Sequence, residues 1–294
     1  MINHPGARLR AAINIHKPLV LAGVINAYSA LLAEKAGIRA IYLSGAGVAA
    51  SCFGLPDLGL TSLEDIVEET RRITSASEAP LVVDIDTGWG SPLMVARTIK
   101  ALQRAGAAAV HIEDQPFEKR CGHREGKRVI SVADMVARLK AAVEAKEDPS
   151  FYLIARTDAL AIDDLEKTID RINAYAEAGA DAIFVEAITD LSQCQTIKKN
   201  CKIPLVINLT EFGKTPLWSA KEVGAAGADM VLFPLSVFRV MSQAALKAYQ
   251  MIDVQGSTKE LLPLMQSRDE LYQFLNYEHY EKQMNQWLDR GSTL

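Results

Sequence analysis

The chain has 294 residues, 49% of them hydrophobic and 23% charged, enough for one large domain with a substantial core or two smaller ones. Its formal net charge of −4 argues against a nucleic-acid binder or a protein held electrostatically to a membrane, so any basic site must be local. The opening M-I-N-H-P-G-A-R-L-R lacks the apolar stretch of a secretory leader, and the longest uncharged run, residues 40–56, is too short and too broken to span a bilayer. Cys52, Cys121, Cys194 and Cys201 are too sparse for a disulfide framework and lack zinc-site spacing. A reduced, cytoplasmic protein is expected.

Short runs rich in Val, Ile and Leu mark strands at residues 19–24, 41–44, 81–86, 109–113, 152–157, 182–186, 205–208 and 230–233. Between them, segments such as 62–77, 92–105, 132–146 and 165–178 carry apolar residues at helical spacing. Strand–helix alternation builds a parallel sheet. Eight such units predict an α/β fold of the closed (β/α)8 barrel type rather than an open doubly wound sheet. Ala-Gly-Ala recurs at 105–107, 178–180 and 226–228, with a relaxed form at 35–38. Each precedes a strand, as expected where glycine ends a helix in the left-handed conformation. The barrel is complete by residue 257, and residues 258–294 read as a helical tail. Leu271, Phe274, Leu275, Met284, Trp287 and Leu288 recur there near helical spacing, to be buried on the chain's own barrel or on a neighbouring subunit.

In such a barrel the active site lies at the C-terminal ends of the strands. Those ends carry Ser44-Gly45-Ala46-Gly47, Asp84-Ile85-Asp86, His111-Ile112-Glu113-Asp114, Arg156-Thr157-Asp158, Glu186 and Asn208-Leu209-Thr210. Asp84 and Asp86 are two apart and would share one strand face. Two adjacent carboxylates repel unless a cation joins them. All-oxygen ligation suits Mg2+, with Mn2+ as a substitute, substrate and water completing the shell. Glu113 and Glu186 would hold the metal's waters from a second shell or pair with Arg156. Arg156 should grip a substrate carboxylate bidentately. Residues 44–47 form either an anion-binding nest or a plain turn, and Asp57 sits in the next loop as a single carboxylate.

Residues 115–129, Q-P-F-E-K-R-C-G-H-R-E-G-K-R-V, follow the fourth strand and show no hydrophobic period. A loop of this length in a compact domain is a lid, a binding loop or a disordered segment. Lys119, Arg120 and Arg124 flank Cys121, and nearby positive charge lowers a thiol pKa. Gly122 and Gly126 supply the flexibility of a closing loop, expected to be mobile when the site is empty. The pattern describes a polyanionic, metal-bound substrate under a cationic lid, with Lys119, Arg120, Cys121 and His123 as candidate catalytic groups.

The strings K-R-C-G-H at 119–123 and D-I-D-T-G-W-G at 84–90 resemble the isocitrate lyase and phosphoenolpyruvate mutase superfamily, and within it the 2-methylisocitrate lyase family. The resemblance runs through S-G-A-G-V-A-A, A-A-V-H-I-E-D-Q, A-R-T-D-A, N-L-T-E-F-G-K-T-P and M-Q-S-R-D-E-L-Y. It implies Mg2+ near Asp84 and Asp86, and a homotetramer exchanging C-terminal helices. It further implies cleavage of 2-methylisocitrate to pyruvate and succinate in propionate catabolism. Substrate-binding positions implied by motif are Ser44, Gly45, Ala46, Cys121, Gly122, Arg156, Glu186, Asn208, Thr210, Arg239 and Arg268. Ala46 stands where a second glycine is usual, which matters only if the left-handed conformation is needed there.

Cys121 would act as thiol acid; Tyr42, Asp57 and Glu113 are candidate bases between which the sequence does not choose. Alternatives are cleavage of isocitrate to glyoxylate and succinate, or carbon–phosphorus mutase or hydrolase chemistry on the same barrel. The second alternative has no need of the thiol lid.

Overall fold

The computed structural model describes residues 4–124 and 126–291. Its strands are β1 (Leu19–Val24), β2 (Ala40–Leu43), β3 (Leu81–Asp84), β4 (Ala109–Glu113), β5 (Tyr152–Thr157), β6 (Ala182–Val185), β7 (Leu205–Asn208) and β8 (Met230–Phe233). All pairs are parallel and sequential, and β8 returns to β1 with Leu19 opposite Met230, closing the expected barrel. Helix α1 (Pro5–Ile15) precedes the barrel. Around it run α2 (Ala27–Lys35), α3 (Gly45–Phe53), α4 (Leu63–Ala76), α5 (Pro92–Arg104), α6 (Val132–Glu144), α7 (Leu165–Glu177), α8 (Leu191–Asn200) and α9 (Ala220–Ala225).

Strand parity divides the core in two. Tyr42, Val82, Ala109, Ile154, Phe184, Val206 and Leu232 fill the barrel together with Leu9 and Ile13 of α1. Their neighbours Ile41, Val83, Val110, Leu153, Val185 and Ile207 face outward to the helices. The sequence reading had assigned no element to α1. Its signal is short, Leu9 and Ile13 one helical turn apart, and Arg10 reinforces it by bonding the Ser150 carbonyl at 2.9 Å and Asp181 at 2.8 Å. The Ala-Gly-Ala turns behave as expected. Gly106 has φ 91°, and the Ala107 N–H reaches back to the Leu102 carbonyl at 3.0 Å, closing the helix end on itself.

The described chain forms two compact units, one ending at Phe238 and one starting at Arg239. The second contains most of α10 (Ser236–Gln255), a short 3-10 turn, α11 (Arg268–Phe274) and α12 (Tyr277–Gly291). The tail is thus not one continuous helix: Asn276 takes φ 54° between α11 and α12. Trp287 and Leu288 remain 62% and 65% exposed in the single chain.

Closure of the barrel depends on a backbone contact at the β1–β8 seam. A Cβ at Gly23 would lie 1.7 Å from the Pro234 carbonyl oxygen, so the two strands can meet only if position 23 has no side chain. Gly23→Ala is expected to destabilise the fold by about 3 kcal/mol. Urea unfolding should show a lowered midpoint with an unchanged slope.

Candidate active site

Continuing the strand parity past each C-terminal end sets one polar group after another at the barrel mouth. Asp84, His111, Glu113 and Arg156 sit on their strands, whereas Ser44, Asp86 and Glu186 lie just beyond them. Asp86 is therefore not on the strand face shared with Asp84, as the spacing had suggested. It takes φ 48°, in a turn where its own N–H bonds Asp84 Oδ1 at 3.0 Å. The turn, rather than the pleat, brings the two carboxylates together against Gly45. A Cβ on Gly45 would stand 3.2 Å from Asp86 Oδ1 and 3.4 Å from Asp84 Oδ2.

Residues 44–47 are neither a plain turn nor an open nest. They begin α3, with the Ser44 hydroxyl accepting from the Gly47 N–H at 3.3 Å, and the Gly45 N–H is spent on Asp84 Oδ2 at 3.1 Å. Ala46 lies in this first helical turn, so no left-handed conformation is required of it.

Below Asp84 lies His111, a strand-end group to which the sequence assigns no role. Its Nδ1 is 3.1 Å from the Tyr42 hydroxyl, and its Nε2 lies 3.2 Å from Asp84 Oδ1 without reaching hydrogen-bond geometry. Burial lowers the imidazole to about 4, leaving it neutral at physiological pH. Burial, then Asp84, pushes the Tyr42 phenol well above its usual range. Tyr42 keeps its proton and shares a hydrogen bond with His111 Nδ1, a poor posture for a general base.

Arg156 is the centre of the mouth. Its Nη1 lies 3.2 Å from Glu113, its Nη2 3.3 Å from Glu186, and its Nε donates to Asp158 at 3.0 Å. Nη2 also reaches Asp158 Oδ1 at 3.3 Å. The Glu113 and Glu186 contacts are ion pairs outside hydrogen-bond geometry, so the guanidinium's hydrogen bonds both go to Asp158. Carboxylates of the barrel thus flank the fork that is expected to grip a substrate carboxylate. Burial pushes the Glu113 carboxyl well above the usual range despite Arg156 beside it.

The lid is folded into the mouth on both sides of Glu125. Gln115 clamps the Arg120 backbone at its base, accepting the N–H at 2.9 Å and donating to the carbonyl at 2.8 Å. Lys119 turns inward to Asp57 at 2.6 Å and to Asp86 in a shorter contact. Burial alone would lower the Lys119 ammonium; Asp86, then Glu113, Asp57 and Asp84, outweigh it and push the group well above its usual range. Burial raises Asp86 to about 6 against the pull of Lys119, while His111, Lys119 and Arg156 overcome burial to hold Asp84 at about 2.

Gly122 rests on the Arg156–Glu186 pair so closely that a Cβ would fall 2.4 Å from Arg156 Nη2. His123 lies 3.3 Å from Glu186, and its Nδ1 accepts the Lys214 N–H at 3.1 Å. Asn208 donates to Glu186 at 3.3 Å, and Thr210 is buried beside it. Cys121 is half-buried, and burial raises its thiol pKa. The lowering expected from the flanking basic residues does not occur: burial is the largest influence on the thiol, and the cation that acts against it is Arg156 rather than a sequence neighbour. The Arg120 side chain is exposed, passes beside Gly126 and lines, with Lys119, Phe117 and Arg128, a cleft of about 600 Å3. Arg239 and Arg268 belong to the second unit, on α10 and at the start of α11.

Two buried carboxylates meeting at Gly45, with no thiolate between them and a lysine ammonium standing in as counter-ion at Asp86, fit a hard divalent cation. Glu113 Oε1 adds a buried acceptor with no partner. Among the described residues no three His, Cys, Asp or Glu converge tightly enough to ligate an ion alone, so substrate and water would complete the shell. No described helix is long and apolar enough to cross a membrane.

A closed (β/α)8 barrel with paired carboxylates under a thiol-bearing lid is an enzyme site, and comparison with known proteins places it. The chain belongs to the phosphoenolpyruvate phosphomutase family, whose model matches residues 9–253. A 2-methylisocitrate lyase of Shewanella oneidensis is 51% identical over 286 residues, covering 97% of this chain and 98% of its own. The solved 2,3-dimethylmalate lyase, a member of the PEP mutase/isocitrate lyase superfamily, is 34% identical with TM-score 0.88, over 96% of this chain and 95% of that one. A phosphonopyruvate hydrolase solved in complex with oxalate and Mg2+ is 26% identical with TM-score 0.86, over 97% and 99% of the two chains.

The mouth titrates in two opposed ways. Folded His111 resists protonation down to about 4, whereas the unfolded imidazole takes a proton near 6.5. The unfolded chain then binds more protons in that window, and stability from this group is lost as pH falls through it. Asp86 works oppositely, taking its proton near 6 when folded against 3.8 otherwise, so it adds stability as pH falls. His111→Asn removes the first effect and also takes away the principal group holding Asp84 down, and both changes favour the variant as pH falls. Its stability relative to the parent should improve by about 3 kcal/mol between pH 7 and pH 4, read from urea unfolding of both proteins at each pH.

Proposed function

We propose that the chain is a Mg2+-dependent lyase that cleaves 2-methylisocitrate to pyruvate and succinate, acting in propionate catabolism in the cytoplasm. The observation that carries the reading is the half-buried Cys121 thiol on a lid folded over the Asp84–Asp86 pair. Carbon–phosphorus chemistry on the same barrel has no use for such a thiol.

The carboxylates of Asp84 and Asp86, with Glu113 behind them, would hold a Mg2+ ion, which would supply Lewis-acid polarisation toward the α-hydroxy-carboxylate end of the substrate. Mn2+ is a fair substitute. A base removes the hydroxyl proton, and the electron pair of the breaking carbon–carbon bond passes to the carbon that becomes succinate. Tyr42 keeps its proton, and Glu113 lies buried against Arg156 at 3.2 Å, whereas Asp57, paired with Lys119 at 2.6 Å, is the more accessible carboxylate and is taken as the base. Arg156 and Lys119 stabilise the negative charge developing on the succinate half. Cys121 protonates that carbon, a task suited to a thiol that burial keeps protonated.

The Arg156 guanidinium, with the side chains of Ser44, Glu186, Asn208 and Thr210, is read as orienting the tricarboxylate. The exposed Trp287 and Leu288 of the tail fit association of four copies through exchanged C-terminal helices.

With 2-methylisocitrate and Mg2+, the purified protein should release pyruvate, lose activity in a chelator and regain it with added Mg2+. Glyoxylate released preferentially from isocitrate would move the assignment to isocitrate lyase; a pocket tells one methyl group apart by only about 1–3 kcal/mol, so weak cross-activity is compatible with the proposal. Cys121→Ala should lower kcat by about 100-fold or more with unchanged circular dichroism, and near-parental turnover would remove Cys121 from the acid's role.

A further inference from the structure

The lid is a surface loop, yet one of its lysines points the wrong way for a surface residue. Arg124 and Arg128 are exposed, whereas Lys127 between them is 9% exposed. Burying a lysine stem costs side-chain entropy and desolvates the ammonium, so the position must be bound to something. The ammonium donates to Asp158 Oδ1 at 2.8 Å and, in a shorter contact, to the carbonyl of Gly122. Gly122 lies between Cys121 and His123 and sits directly on Arg156 and Glu186.

Asp158 is fully buried, and its other oxygen accepts from Arg156 Nε at 3.0 Å. It is also fixed from below. Its own N–H bonds Asp114 Oδ1 at 3.0 Å. Asp114 Oδ2 in turn accepts from Thr157 at 2.6 Å, from Tyr175 at 2.8 Å and from Arg171 at 3.3 Å. Tyr175 and Arg171 belong to α7, outside the barrel. A connected set of polar contacts therefore runs from the outer helix layer, through the β5 end, to the tip of the lid.

The other inward lysine of the lid, Lys119, pairs with carboxylates of the cation site. Lys127 does not; its partner is the carboxylate that orients Arg156. We propose that Lys127 is a positioning residue, a latch that seats the Cys121–Gly122–His123 tip over the mouth and binds lid closure to the orientation of Arg156 through their shared carboxylate, Asp158. This assignment rests on the lyase reading for its meaning in catalysis, since the tip it seats carries the proposed acid.

The test reads the lid without turnover. Alkylation of Cys121 by iodoacetamide is followed by mass spectrometry in the parent, Lys127→Met and Lys127→Arg, with buried Cys194 and Cys201 as internal controls, alongside the rate of tryptic cutting within residues 119–128. Breaking a buried ion pair in Lys127→Met should raise both rates by at least about tenfold, with the cooperative thermal transition retained. Lys127→Arg, which keeps the charge, should restore most of the protection. Cys121 labelling unchanged in Lys127→Met overturns the proposal, and so does loss of cooperative unfolding in both variants, which would make Lys127 a general core residue. In turnover of 2-methylisocitrate, Lys127→Met should lose about tenfold or more in kcat and regain it in Lys127→Arg. A parent protein that fails to cleave that substrate refutes the lyase reading, while the labelling comparison still decides the latch.

Discussion

The barrel mouth is organised by a charge balance that the barrel cannot satisfy by itself. Asp57, Asp84, Asp86, Glu113, Asp158 and Glu186 converge there, and the strands contribute one permanent cation, Arg156. The remaining positive charge arrives from the lid, through Lys119 on one side of Cys121 and Lys127 on the other. Unpaired carboxylates in a desolvated site would cost several kcal/mol each or take up protons, and the raised Asp86 and Glu113 show part of that response. Lid and barrel are therefore parts of one electrostatic unit. The same balance explains why the lid is both basic and glycine-bearing: its cations have to reach inward, and Gly122 has to lie flat on a guanidinium.

How much of this could be read in the sequence follows from which rules are local. Every strand was legible, because apolar runs of four to six residues recur between Ala-Gly-Ala helix ends. Parity then placed Asp84, Glu113, Arg156 and Asn208 at the mouth without further information. The errors come from non-local facts. Asp86 leaves the strand because its backbone turns to positive φ, which no side-chain pattern announces. Basic neighbours of Cys121 suggested a lowered thiol pKa, yet what decides it is burial, visible only once the lid is folded in. Lys119 and Arg120 are adjacent in sequence, yet one is buried against Asp57 and Asp86 and the other is exposed, a difference that a run of basic residues does not announce. His111 and Lys127 receive no role from the sequence for a related reason: a lone histidine in an apolar strand and one lysine in a basic run carry no local mark of their partners.

The comparisons and the geometry answer different questions. Relatedness across nearly the full chain fixes the family, but that fold carries mutase, hydrolase and lyase chemistries, and one barrel hosts many reactions. Discrimination falls to the residues that the strands do not supply. The lid contributes the thiol, two inward cations and an imidazole, all from the fifteen residues numbered 115–129.

The contacts around Asp114 give the outer helix layer a stake in the chemistry. Arg171 and Tyr175 lie on the flank of the barrel, far from substrate by the chain's own topology, and would ordinarily be classed as scaffold. Because they hold Asp114, which holds Asp158, which is shared by Arg156 and the lid, a change on that flank alters the posture of the mouth without touching it. Sequence drift on α7 is then constrained by alignment at the mouth as well as by packing, and a variant there that keeps its fold can still be slow.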